Sequence, residues 1–318
     1  MKRMVRFIVG LSFLASALSS VFRFPSTRAA VPTTAPLEPG DQSRSVIVDN
    51  LKRTYLVHVP KGYKPNQPTP IVLALHGAAM NGSMMVWFSG LNDTSEKNNF
   101  IVVYPDGTGF GSFRTWNAGG FSDKRAEGKA DDVKFIGALL DDLGTVTNVD
   151  AKRVYACGMS NGAMMCYRLA AEMSDRISAI APVAGTIAIP ESHPKRPVPV
   201  IHFHGTQDHI VPFNSATTKP AFMKFISVDE SIQTWVKLDG CDQNPVTDVL
   251  SKDGDEMKVT RQTYGGGKDG AEVVLVTIDG GGHTWPGQKP PVEFIGKSAM
   301  NISADDLIWD FFKAHPMK

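Results

Sequence analysis

Cysteine is scarce in this chain: three residues in 318, none of them before Cys157. That excludes a disulfide-stapled scaffold, allows one bridge at most among Cys157, Cys166 and Cys241, and leaves no cysteine for an N-terminal lipid anchor. No Cys/His spacing suits a zinc site and no His-Glu-x-x-His occurs, so chemistry without metal or cofactor is expected. Excess charge is lacking as well. With Lys+Arg 33 against Asp+Glu 32, a net +1, nothing points to nucleic acid or an anionic membrane as a partner. Repeats, low-complexity tracts and composition shifts that would mark a second domain are absent, and nothing specifies an oligomeric state. A membrane-length apolar run is missing too, because Phe7 to Phe22 is shorter than the ~20 residues a span needs. That segment follows the basic Met1–Arg6 and precedes small-residue cleavage options at Ala17-Leu18-Ser19 and Thr27-Arg28-Ala29. It reads as a secretory signal over residues 1–29, which predicts a secreted or periplasmic protein without stable membrane association. A poorly ordered, proline-containing lead-in over 30–41 and one domain over 42–318 are expected to follow.

What is present is a regular alternation of strand and helix patterns. Ser45–Val48 and Thr54–Val59 read as an opening hairpin. Strands are then expected at 71–75, 101–104, 153–157, 178–183, 198–203 and 271–278. Helices are expected near 84–97, 131–146, 161–173, 228–238 and 304–314, two of them opened by capping boxes at Ser227/Glu230 and Ser303/Asp306. This alternation predicts a mostly parallel sheet covered on both faces. Between one buried run, Arg153–Cys157, and the helical stretch from Ala163 lies Gly158-Met159-Ser160-Asn161-Gly162. A Gly-x-Ser-x-Gly turn between strand and helix is a nucleophile elbow, and it marks Ser160 as the candidate nucleophile. A serine needs a base, and the base needs an orienting acid. Asp208 stands in a turn just past the strand 198–203, and His283 follows a glycine run after the strand 271–278. Ser, Asp and His thus occur in the chain order of the α/β-hydrolases, each past a strand end. Leu75-His76-Gly77-Ala78 ends another buried strand where one oxyanion amide is expected. The candidate donors are therefore the amides of Ala78 and Asn161, with His76 read as a structural histidine bonded to backbone.

Two loops interrupt the alternation. Asp106–Ala130 is long and glycine-rich and holds Phe110, Phe113, Trp116 and Phe121. These aromatics either line a substrate wall or pin the loop to the core; Trp116 is taken as a substrate-binding candidate. So is Trp285, because it lies two residues after His283. Phe213–Phe225 is a further candidate wall, and His209 reads as structural or as a pocket-rim residue. The connection Gly185–Arg196 is short, which argues against a large mobile lid.

The blocks Leu75-His76-Gly77, Tyr104-Pro105-Asp106-Gly107, Thr115-Trp116-Asn117-Ala118-Gly119, Asp131-Asp132-Val133, Gly158–Gly162, His204–Asp208 and Gly282–Gly287 resemble those of secreted esterases of the polyhydroxybutyrate depolymerase and feruloyl/acetylxylan esterase group. The resemblance is collinear over roughly 42–314. It implies a single α/β-hydrolase domain with Ser160 as nucleophile, Asp208 as acid and His283 as base. Its implied substrates are esters, of a polyhydroxyalkanoate or of feruloyl or acetyl groups on polysaccharide, hydrolysed through an acyl-enzyme. Many relatives place cysteines after the Trp-Asn-Ala-Gly block, where this chain has Gly120-Phe121-Ser122. Two other readings fit the same scaffold. A peptidase would normally carry an additional N-terminal gating domain, for which there is no room. A non-catalytic binding protein would leave triad positions empty, and here all three are filled.

Overall fold

The computed structural model describes residues 35–119, 130–214 and 226–318; the expected signal segment 1–29 lies outside them. Among the described residues, twelve strands and six α-helices follow in chain order. They are β1 Gly40–Val48, β2 Leu51–Val59, β3 Thr69–Leu75, α1 Gly82–Ser89, α2 Leu91–Asn98, β4 Ile101–Pro105, β5 Thr108–Phe110, β6 Phe113–Thr115, α3 Asp132–Gly144, β7 Val149–Met159, α4 Asn161–Glu172, β8 Ile180–Val183, β9 Val200–Gly205, α5 Val228–Asp239, β10 Val246–Val249, β11 Val259–Tyr264, β12 Val273–Ile278 and α6 Ala304–Ala314.

Ten of the strands form one sheet in the order β1-β2-β4-β3-β7-β8-β9-β12-β11-β10. The six from β4 to β12 run parallel, and an antiparallel ribbon flanks them on each side. Alternation along each central strand feeds two separate cores, since successive side chains leave opposite faces. On β3, Ile71, Leu73 and Leu75 join the core under α3, α4 and α5. Val72 and Ala74 join the one under α1, α2 and α6. The second core is fastened by stacked rings, Tyr155 on Phe312 with centroids 4.6 Å apart and Phe100 on Trp309 at 4.1 Å. Helix starts are capped as their residues suggest. Ser227 accepts the Glu230 amide at 3.0 Å and Ser303 the Asp306 amide at 3.1 Å, each such cap being worth about 1 kcal/mol.

Four expectations need correction. The lead-in is not loose throughout, because Leu37 is buried, its amide bonds the Val146 carbonyl at 2.9 Å, and β1 already begins at Gly40. The helix near 84–97 is two helices, broken where Gly90 takes φ 75° and caps α1. The loop after Asp106 holds a hairpin, β5 paired with β6. The ribbon of β10 and β11 had no expected strand. Its residues are largely polar and half-exposed, so backbone pairing with β12 specifies it and an apolar pattern does not.

Between β8 and β9, residues 184–199 contain no helix. The carboxyl ends of the parallel strands therefore lack a helical cap from this connection. Beneath the opposite ribbon, Arg53 and Asp132 form a buried ion pair at 2.6 Å, with Arg53 also lying over the Phe135 ring at 4.0 Å. The other Asp132 oxygen accepts the Asn117 amide at 2.6 Å. The Asp131-Asp132-Val133 block thus serves to fasten the start of α3 to the segment after β6.

Candidate active site

Ser160 sits between β7 and α4 with φ 57° and ψ −117°. A non-glycine residue in that region costs about 1–3 kcal/mol and persists only when its surroundings enforce it. Here they do: the Ser160 amide donates to the Val183 carbonyl at 2.8 Å, and its carbonyl accepts the Met164 amide at 3.0 Å. The glycines on either side are sterically required. A Cβ on Gly158 would stand 2.6 Å from the Gly162 carbonyl carbon, and one on Gly162 would strike the Leu75 carbonyl. Strand β3, strand β7 and helix α4 therefore meet at van der Waals limit around a serine that remains half-exposed.

Asp208 and His283 come together as a pair. The imidazole Nδ1 lies 2.7 Å from Asp208 Oδ2, and the exposures are 3% for Asp208 and 7% for His283, so little water competes. Asp208 Oδ1 accepts the amides of Ile210 and Val211 at 2.8 and 2.9 Å. Burial pushes this carboxyl up, but the charges and hydrogen bonds of His283, His204 and the Val211 amide outweigh it and hold it below the ordinary carboxylate range. An ionised Asp208 makes Nδ1 of His283 the protonated nitrogen, which leaves Nε2 as the basic one. The loop that carries His283 is fixed by backbone bonds, from the His283 amide to the Ile295 carbonyl at 2.6 Å and from the Gly282 amide to the Lys297 carbonyl at 2.9 Å. The neighbouring carboxylates are employed elsewhere. Asp279 is exposed and accepts the Thr206 hydroxyl at 3.1 Å. Asp106 takes the Gly82 amide at 2.9 Å and the Thr54 hydroxyl at 2.6 Å.

The segment after β3 passes beside Ser160, since a Cβ on Gly77 would lie 3.5 Å from the serine Cβ. His76 clamps this segment from below. Its Nδ1 donates to the Gly77 carbonyl at 2.7 Å while Nε2 accepts the Gly107 amide at 2.9 Å. Full burial lowers its pKa to about 4, so the ring is neutral and its tautomer is set by those two bonds. The Ala79 amide is taken by the Arg114 carbonyl at 2.8 Å, and Ala79 itself has φ 62°. Among the described residues, neither the Ala78 nor the Asn161 amide has a protein acceptor. Two free amides flanking a serine hydroxyl at a helix N-terminus can stabilise a developing oxyanion.

The two tryptophans are not where a substrate could reach them. Trp116 is 0% exposed and Trp285 1%. The Trp116 indole N–H donates to the His76 carbonyl at 2.9 Å and its ring lies 4.9 Å from the His76 ring. The Trp285 indole donates to Asp305 Oδ1 at 2.8 Å. Both pin loops from beneath, which corrects the expectation that they line a substrate wall. Sequence distance from His283 constrains where Trp285 lies, but not the side from which it points. Phe213 is half-buried and packs edge-on to His204 at 5.9 Å, and His209 is exposed; the rest of the Phe213–Phe225 wall, 215–225, lies outside the described residues, as does Phe121. Among the described residues, exposed aromatics near the site include Phe110 and Phe113, a cross-strand pair on the β5–β6 hairpin that are 91% and 46% exposed, and Phe294, next to the Ile295 that holds the His283 amide.

One role was hidden in the motif. The Asn161 side chain accepts the Thr115 hydroxyl at 2.8 Å and the Trp116 amide at 2.6 Å, tying the segment after the hairpin to the elbow. The pairing of Thr115-Trp116 with the residue after the serine joins segments 45 positions apart, and no local pattern signals it. All three cysteines are buried and none is in a disulfide, with thiols pushed up by burial, Cys241 to about 11, so none is a competing nucleophile. Among the described residues no group of three or more His, Cys, Asp and Glu side chains is gathered as a metal site, and no helix is long and apolar enough to cross a membrane.

Residues 61–237 match the model of the phospholipase/carboxylesterase family of α/β-hydrolases. A putative esterase, NocK, of Nocardia uniformis subsp. tsuyamanensis is 32% identical over 288 residues, 85% of this chain and 81% of that protein. Feruloyl esterase B of Piromyces equi is 29% identical over 241 residues, 73% of this chain but only 42% of that longer protein. In fold, the chain resembles an acetyl xylan esterase from Aspergillus awamori with TM-score 0.58 and 17% identity, over 86% of this chain and 99% of that one.

Proposed function

The chain belongs to the phospholipase/carboxylesterase family and is a carboxylic ester hydrolase of the α/β-hydrolase fold; from this premise we propose that Ser160, Asp208 and His283 are its catalytic triad and that it works through an acyl-enzyme. The observation that carries the reading is the buried Asp208–His283 bond at 2.7 Å, in a fold that presents Ser160 on a strained elbow.

Ser160 Oγ attacks the ester carbonyl while His283 Nε2 takes its proton. The amides of Ala78 and Asn161 hold the tetrahedral oxyanion, each donor being worth on the order of 3–4 kcal/mol in the transition state. His283 then returns the proton to the departing alcohol. A water deprotonated by the same nitrogen attacks the acyl-serine and frees the acid. Asp208 keeps Nδ1 protonated throughout and stabilises the imidazolium without taking its proton.

The substrate class is a feruloyl or acetyl ester on polysaccharide, supported by the similarity to a feruloyl esterase. The exposed pair Phe110 and Phe113 favours the larger aromatic acyl group over acetyl, and the same apolar tip would suit a short polyester as the second reading. The basic and apolar N-terminal segment supports export to a secreted or periplasmic destination. The test is Ser160→Ala, assayed on p-nitrophenyl acetate, methyl ferulate and a hydroxybutyrate oligomer. It should lower kcat by ~10⁴–10⁶ with an unchanged melting curve and abolish fluorophosphonate labelling. Near-normal turnover in the folded variant would overturn the assignment.

A further inference from the structure

A line of buried polar side chains runs from the acid of the site into the core. His202 and His204 are alternate residues of β9, so both rings leave the sheet on the α4 side and stack parallel, with centroids 5.3 Å apart. His204 Nε2 lies 2.8 Å from the Val211 carbonyl and 3.5 Å from Asp208 Oδ2. His204 Nδ1 lies 3.1 Å from His202 Nε2, and His202 Nδ1 lies 2.8 Å from the Tyr167 hydroxyl on α4. His202 is 0% exposed and His204 1%. A structural need for packing would be met by leucine or phenylalanine at lower desolvation cost, so two stacked imidazoles in a core call for a reason.

The proton directions along this line can be worked out from its one fixed end. A carbonyl oxygen only accepts, so His204 Nε2 carries a hydrogen. Burial depresses both imidazoles, and for His202 the neighbouring His204 adds to the effect, so each ring is neutral and carries one hydrogen. His204 Nδ1 is then bare and accepts from His202 Nε2–H. His202 Nδ1 is bare in turn and accepts from the Tyr167 hydroxyl. Every bond donates toward the acid, and none can be reversed without breaking the one at Val211.

We propose that His204 is a positioning residue of the catalytic acid, its tautomer set by the Val211 carbonyl so that Nε2–H stands beside Asp208 Oδ2, and that Tyr167, donating through His202, stabilises that tautomer. This rests on the triad reading above. The carboxylate thus has Oδ1 bonded by the Ile210 and Val211 amides and Oδ2 by His283, with His204 Nε2 at 3.5 Å from Oδ2. Because Tyr167 belongs to α4, whose first residue follows Ser160, the line also locks the nucleophile's helix to the acid's turn. With the opposite His204 tautomer, a nitrogen lone pair would face both the Val211 carbonyl and the carboxylate, and the turn would shift away from His283.

The experiment measures kcat and KM of the full-length enzyme on p-nitrophenyl acetate, with melting curves, for Tyr167→Phe, His204→Leu, His204→Gln, the double variant Tyr167→Phe/His204→Gln and Asp208→Asn. His204→Leu should lower kcat tenfold to a hundredfold with KM within twofold. It should also weaken the strongly deshielded proton resonance of the His283–Asp208 bond. Tyr167→Phe should lower kcat severalfold in the wild-type background and not at all in the His204→Gln background, since an amide donor has no tautomer to misplace. A purely structural hydroxyl would instead cost the same in both. Equal losses in both backgrounds, or folded Tyr167→Phe and His204→Leu enzymes with wild-type kcat and resonance, overturn the proposal. If His204→Leu does not fold, the pair of Tyr167→Phe comparisons decides. An active Asp208→Asn enzyme would overturn the triad reading itself, whereas an inactive one beside unaffected Tyr167 and His204 variants would overturn this inference alone.

Discussion

Three carboxylates stand on loops near the carboxyl ends of the strands, and the choice among them is made by hydrogen bonds. Asp208 is buried against His283, Asp279 faces water beside Thr206, and Asp106 is spent on the Gly82 amide and Thr54. Replacing Asp208 by Asn keeps the shape but offers His283 a donor where it needs an acceptor, which favours the tautomer with Nε2 protonated. Asp208→Asn should therefore lose ~10⁴ in kcat, and Asp279→Asn should stay within a fewfold of wild type. Steady-state kinetics on p-nitrophenyl acetate check this, and a crippled Asp279→Asn beside an active Asp208→Asn would reverse the assignment. Asn161 shows how one residue can hold two jobs: its amide is a free donor beside Ser160, and its side chain binds Thr115 and Trp116.

The element that this side chain holds is the β5–β6 hairpin. Arg114 on β6 ties it to the oxyanion segment, through its carbonyl to the Ala79 amide at 2.8 Å and its amide to the Met80 carbonyl at 3.2 Å. The tip displays Phe110 and Phe113 to solvent, whereas Trp116 at the base is sealed under His76. Tip and base should then respond differently to truncation. Phe110→Ala with Phe113→Ala should change the ratio of kcat/KM between methyl ferulate and an acetyl ester by about ten- to two-hundredfold, the range of 1–3 kcal/mol for an apolar contact. Trp116→Ala should depress both substrates together, because it loosens the oxyanion segment. The measurement is the ratio, read with a melting curve. An unchanged ratio in the hairpin variant would place the acyl wall elsewhere.

At the scale of the whole molecule, two cores on opposite faces of one sheet leave some ionisable groups in apolar surroundings. Asp305, in the first turn of α6, is 5% exposed and accepts the Trp285 indole. Burial, partly offset by Trp285 and Gln288, raises its pKa to about 7. A carboxyl in the unfolded chain titrates near 3.9, so between about pH 4 and 7 the folded state binds more protons than the unfolded one. The stability this group contributes is thus fully present below about pH 4 and is lost as pH rises through 7. Asp305→Asn keeps the Oδ1 acceptor and removes the titration. Its melting temperature relative to wild type should therefore rise progressively from pH 4 to pH 8. A difference that stays flat over that range would show that Asp305 is not held protonated.

Much of this protein is written locally. A parallel strand buried on both faces must be a run of apolar residues, so β3, β4, β7, β9 and β12 were readable, and Gly-x-Ser-x-Gly between one of them and a helix fixed the elbow. The order of serine, aspartate and histidine past later strands followed from the same pattern. What tertiary structure decided is everything that depends on which side of a loop faces inward. Trp285 lies two residues from His283 and Trp116 in the long loop after Asp106, yet their indole N–H groups find buried acceptors in Asp305 and His76, and so they turn to the core. The ribbon of β10 and β11 exists because β12 offers an edge, and its own residues carry no apolar signature. Arg53 with Asp132, and the line from Tyr167 to Asp208, join residues far apart in sequence through single hydrogen bonds. Hydrophobic periodicity is a property of neighbours along the chain, whereas a hydrogen bond between distant side chains exists only once packing has brought them within 3 Å and excluded the water that would otherwise satisfy them.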